Sequence, residues 1–150
     1  MTSFLAYGST SVAHPVRGHR RDAHMNAEAP RAKAPSTVLV VDDDPSVLGL
    51  VASVLSRRRY QVLTAESPAA ALALWREHGP TIDVLLTDVV MPGDLSGVDL
   101  ANRLSAQRKD LIVVYMTGHA QRPDLAPERL QAQGRRLIAK PFTIDGLLEA

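Results

Sequence analysis

The 150-residue sequence contains no cysteine. That absence excludes disulfide scaffolds, thiolate metal sites and a cysteine nucleophile, and it fits a reducing compartment. No apolar run approaches the roughly 18 to 20 residues that span a bilayer. The opening Met1 to Tyr7 also lacks a basic stretch followed by a secretory apolar core. A soluble, cytoplasmic protein is therefore expected. Neither sign of charge dominates, because 17 Lys and Arg stand against 16 Asp and Glu. Nothing in that balance points to nucleic acid or a membrane surface as a partner. Function must come from where particular charges are placed.

A chain of this length accommodates one domain with a full core but not two ordinary ones. Residues 1–35 are rich in Ser, Ala, Arg, His and Pro and show no sustained apolar period. They bury too little surface to offset the entropy of ordering, so a disordered leader is expected, followed by a domain at 36–150. Met25 lies inside this leader and offers a second possible start. His14, His19 and His24 are evenly spaced there, but without fixed geometry they read as surface histidines rather than metal ligands.

From Thr37 onward short apolar runs alternate with helical patterns, the signature of βαβ units around a parallel sheet. Residues 38–41, 84–86 and 111–116 are nearly continuous apolar stretches, as expected for strands covered by helices on both faces. Residues 60–65 and 136–139 complete a set of five strands. Between them, Asp44 caps a helix that begins at Pro45 and carries an apolar stripe of Val47, Val51, Val54 and Leu55. Ser67 and Pro68 start a second helix, which Gly79 and Pro80 stop. Ser96 caps a third through about Gln107. Pro123 and Pro127 confine a fourth to residues 127–133, and Thr143 caps a short last one.

In an open parallel sheet, ligands bind outside the carboxyl ends of the strands. At those ends stand Asp42 and Asp43, Asp88, Thr117 and Lys140, the last directly before Pro141. Crowded carboxylates repel one another and either hold a proton or bind a cation. A hard divalent ion such as Mg2+ or Mn2+ suits an all-oxygen set that keeps waters and accepts phosphate oxygens. Lys140 and Thr117 are placed to meet the remaining oxygens of a phosphoryl group, and a carboxylate can itself act as the nucleophile.

The segments VLVVDDDP, LLTDVVMPG, VVYMTG and AKPF, in this order and at these separations, resemble the receiver domains of two-component response regulators. The resemblance extends from about Thr37 to Ala150. It implies a flavodoxin-like α/β fold, three layers with a five-stranded parallel sheet in the order 2-1-3-4-5. It further implies that Asp88 is the phosphorylation site, that Asp42 and Asp43 are the acid pair at the metal, and that Val90 contributes its backbone carbonyl to the same ion. Thr117 becomes the switch hydroxyl and Lys140 the phosphate-binding lysine. The implied donor is a histidine kinase or a histidine phosphotransfer protein. The loop MPGDLSG after Asp88 resembles the longer version found in receivers of hybrid sensor kinases.

Each residue has a plainer reading beside this one. Asp43 and Asp44 can favour a helix start electrostatically, by about 0.3 to 1 kcal/mol; Asp44 is assigned to that role alone. Asp94 and Asp99 read as loop and helix-surface charges, and His78 as a cation near a helix end. Val90 and His119 stand two residues beyond Asp88 and Thr117, where the family tunes hydrolysis; an apolar Val90 cannot orient an attacking water. Leu137 occupies the place where the family often has a switch aromatic. Tyr115 is on the Thr117 face of its strand by the period of two, with packing as its default role. Leu48 and the apolar first helix are candidates to help dock a helical donor. Because the sequence stops at the last helix, a single-domain receiver that signals by binding or phosphorelay is expected, not a turnover enzyme. A phosphorylation-independent interaction module and a metal-dependent phosphatase are the alternatives. The intact acidic set disfavours the first. Val90, standing where the second needs an acid or base, disfavours that.

Overall fold

The computed structural model describes residues 36–118 and 123–150. The expected leader at 1–35 and the residue His119 lie outside the described residues. The five apolar runs form β1 (Thr37–Val41), β2 (Gln61–Ala65), β3 (Ile82–Asp88), β4 (Ile112–Thr117) and β5 (Arg135–Ala139). All neighbours pair in parallel, in the order β2-β1-β3-β4-β5. This is the expected flavodoxin-like sheet.

The helices begin where the capping chemistry places them. Asp44 caps α1 (Pro45–Arg57) by accepting a 2.8 Å hydrogen bond from the Ser46 N–H. Ser67 caps α2 (Pro68–His78) through the Ala70 N–H at 3.1 Å. Ser96 caps α3 (Gly97–Gln107), and Asp99 reaches back to the Ser96 N–H at 3.0 Å. Asp99 is thus half of a capping box, not the plain surface charge its sequence position suggests. That hydrogen bonding, from Ser96 first, holds its carboxyl below the ordinary aspartate range. α4 (Pro127–Ala132) starts without a side-chain cap, at Ala126, while Thr143 caps α5 (Ile144–Glu149).

Strand residues alternate between two cores. Leu39, Leu85, Val113 and Tyr115 face α2, α3 and α4 together with Trp75, Leu100 and Leu104. Val40, Leu86, Val114 and Met116 face α1 and α5 together with Val51, Leu55 and Leu147. Leu48 belongs to this second core at 5% exposure, so it is not available for docking; Leu50, on the outer face of α1 at 55%, is. The amino-terminal edge of the sheet is closed by polar contacts. Asp83 accepts from the Thr37 N–H at 2.9 Å, Arg108 donates to the Gly79 carbonyl at 2.7 Å, and Trp75 Nε1 donates to Gln107 at 2.9 Å.

Tyr115 is fully buried, and its hydroxyl accepts a 2.8 Å hydrogen bond from Arg135. Burial raises its pKa, against the opposing pull of the Arg135 charge. The folded protein therefore keeps the phenolic proton at pH values where the unfolded chain has lost it. This contribution to stability is present below the unfolded pKa of about 10 and is lost as pH rises through the higher folded value. Unfolding by denaturant between pH 8 and 11 should show a shallower alkaline decline for Tyr115→Phe than for wild type. In the core beside it, Leu104→Ala should cost about 2–5 kcal/mol, whereas Leu50→Ala should stay within about 0.5 kcal/mol. Equal losses in chemical denaturation would contradict the burial pattern.

Candidate functional site

Sheet register assembles the site before any side chain is considered. Val41 pairs with Thr87, so Asp42 and Asp88 leave the ends of adjacent strands side by side. Asp88 pairs with Met116, and Thr117 pairs with Ala139, which brings Thr117 and Lys140 to the same edge. The Lys140 N–H donates to the Thr117 carbonyl at 2.7 Å, carrying the ladder one residue past β5.

The side chains converge as the sequence implies. Carboxylate oxygens of Asp42, Asp43 and Asp88 all lie within 4.8 Å of one another. Asp42 is fully buried and divides its two oxygens: one accepts from the Asp44 N–H at 2.9 Å, the other from Lys140 Nζ at 2.6 Å. Asp88 does likewise, accepting from the Val90 N–H at 3.3 Å and from Lys140 Nζ at 3.1 Å. Burial works against the charge on Lys140, but the hydrogen bonds it donates to Asp42 and Asp88 outweigh it and raise its pKa above the ordinary lysine value. The lysine is thus a fixed cation. Thr117 is buried at the same edge, at 1% exposure.

This donor set fits a hard divalent ion. Three carboxylates against one ammonium leave two negative charges within the cluster uncompensated. Oxygen ligands, incomplete enclosure and an exposed Asp43 suit Mg2+, which keeps several of its waters. Asp42, Asp43 and Asp88 would hold the ion. Val90 is 53% exposed, whereas the Asp88 side chain is 13% exposed. Among the described residues, Asp42, Asp43, Asp88, Thr117 and Lys140 reach this edge, whereas Leu137 is partly buried against the first core.

Two contributors escape a reading of the sequence. Thr87 looks like an ordinary strand residue, yet its buried hydroxyl donates to the Asp88 carbonyl at 2.9 Å. Gly97 follows a capping serine with no sign of special conformation, yet α3 starts directly against the Asp88 backbone. Only the tertiary approach reveals the second.

Residues 38–150 match the family described as response regulator receiver domain. The chain is 34% identical over 114 residues to a probable transcriptional regulatory protein, TcrX, of Mycobacterium tuberculosis, covering 74% of this chain and 46% of TcrX. It is 39% identical over 146 residues to the virulence sensor protein BvgS of Bordetella pertussis, covering 92% of this chain but 11% of BvgS. The chain thus spans less than half the length of either relative. Among solved structures, the response regulator TrrA of Thermotoga maritima in complex with Mg(2+)-BeF superposes with a TM-score of 0.63 at 27% identity, over 76% of this chain and 94% of TrrA. With the acidic edge, the strand order and these matches in agreement, the chain belongs to the response regulator receiver family of two-component signalling.

Proposed function

We propose that Asp88 accepts a phosphoryl group from the phosphohistidine of a histidine kinase or histidine phosphotransfer protein. The observation that carries this reading is the single Lys140 ammonium shared by Asp42 and Asp88 beside Asp43. In the transfer, an Asp88 carboxylate oxygen forms the new P–O bond while the donor's P–N bond breaks and its electrons return to the imidazole. The Lys140 ammonium pairs with one phosphoryl oxygen, and the Thr117 hydroxyl donates a hydrogen bond to another. A bound Mg2+ or Mn2+ supplies charge neutralisation for such a transfer, and TrrA in its Mg(2+)-BeF complex supports that assignment. Asp42 and Asp43 would hold the ion with Asp88, joined by the Val90 carbonyl.

The chain is on this reading a phospho-acceptor that assists its own modification rather than a turnover enzyme. Its output is phosphorylation-dependent protein binding or onward relay, in the cytoplasm. No helix among the described residues is long and apolar enough to cross a membrane. Exposed Leu50, Val90 and Ile144 offer apolar contacts for a helical donor.

Incubation with Mg2+ and acetyl phosphate, followed by intact-mass measurement, should add one phosphate-sized increment to wild type and none to Asp88→Asn. An unmodified wild type, with a cognate kinase as well as acetyl phosphate, would sink the proposal. The exposed apolar Val90 side chain offers no hydrogen bond to an attacking water, so the phosphoryl-aspartate should be long-lived. Val90→Asn should shorten its lifetime. Equal rates of phosphate loss from the two proteins would show that residue 90 does not govern hydrolysis.

A further inference from the structure

Two residues outside the carboxylate cluster touch the backbone of Asp88. Thr87, fully buried, donates its hydroxyl hydrogen to the Asp88 carbonyl oxygen at 2.9 Å. Gly97 faces the same carbonyl from the first turn of α3. A Cβ at Gly97 would overlap the Asp88 carbonyl oxygen, and would approach its carbonyl carbon to 2.8 Å and Thr87 Oγ1 to 2.9 Å. Gly97 is not among the glycines with positive φ, so the requirement is for space rather than for an unusual backbone. The close approach is used: the Gly97 N–H donates to the Val89 carbonyl at 3.0 Å, which closes the base of the loop between β3 and α3. On its other side Val89 donates to the Met116 carbonyl at 3.1 Å. The Asp88–Val89 peptide is therefore held at its carbonyl by Thr87 and at its N–H from β4, and the next peptide is held at its carbonyl from α3.

We propose that Thr87 and Gly97 are positioning residues that set the aim of the Asp88 carboxylate and of the Val90 carbonyl two residues on. The Thr87 hydroxyl fixes the plane of the Asp88 carbonyl, and the bare Cα of Gly97 lets α3 hold the next peptide. The inference rests on the reading of Asp88 as a phosphoryl acceptor beside a divalent cation. Threonine is well suited to a strand for its branched shape alone, so shape and hydroxyl must be separated. Valine retains the shape and loses the hydroxyl; serine does the reverse.

The test uses the full chain with Mg2+ affinity from calorimetry, the rate of modification by acetyl phosphate from intact mass, and thermal unfolding as a check on folding. A misplacement of about 1 Å can cost a reaction roughly a hundredfold, so Thr87→Val should lose about tenfold in both Mg2+ affinity and modification rate while still unfolding cooperatively. Thr87→Ser should remain near wild type in both. Gly97→Ala should fall at least as far as Thr87→Val; should it not fold, the Thr87 pair decides. Wild-type behaviour in Thr87→Val would overturn the proposal, as would a Thr87→Ser variant as impaired as the valine. A wild type that binds Mg2+ but takes no phosphoryl group removes the reading of Asp88 as acceptor, and the Mg2+ affinities then judge the positioning role alone. A wild type that binds no Mg2+ overturns both.

Discussion

The ammonium of Lys140 joins three strands that are far apart in the chain. Its partners Asp42 and Asp88 lie 98 and 52 residues away in sequence. Without it, a fully buried Asp42 would sit beside two other carboxylates with only a backbone N–H for compensation. Burying a charge is tolerable when it is paired and hydrogen-bonded, and costs several kcal/mol when it is not. The Lys140 ammonium therefore offsets part of the charge that the acidic edge gathers at the ends of β1 and β3.

The two cores supply the rigidity that this pairing needs. Each strand of the sheet is packed on both faces, so a displacement of Asp88 would have to disturb Leu85 against one helical layer and Leu86 against the other. Close-packed interiors resist such shifts. The polar contacts of Asp83, Arg108 and Trp75 tie down the opposite edge.

Much of this was legible beforehand because its causes are local. Continuous apolar runs marked the buried strands, and Asp44, Ser67, Ser96 and Thr143 marked the helix starts, each confirmed by its own hydrogen bond or cap geometry. The edge residues Asp42, Asp43, Asp88 and Lys140 were legible because strand ends are where a parallel sheet exposes chemistry. What was not legible depends on tertiary approach. Leu48 and Leu50 are both apolar and two residues apart, and only the rotation of α1 against the sheet decides that the first is core and the second is surface. Gly97 is required by a contact with a backbone nine positions earlier, which no local pattern encodes. Asp99 is a local exception, since its capping box spans only three residues and an exposed carboxylate on a first turn also fits a plain surface charge.

The helices do not share their anchoring equally. α1, α2, α3 and α5 each begin with a side chain that satisfies an amide of the first turn, whereas α4 begins at Ala126 with no such bond and runs for six residues. A missing cap forgoes about 1 kcal/mol, and so short a helix has little intrinsic persistence. Its tether is the burial of Leu130 against the first core, assisted by Pro127 at its opening position. In mechanical terms α4 is more weakly anchored at its start than the other four helices. It follows β4, the strand that ends in Thr117, so the least firmly started helix is the next one in sequence after that buried hydroxyl.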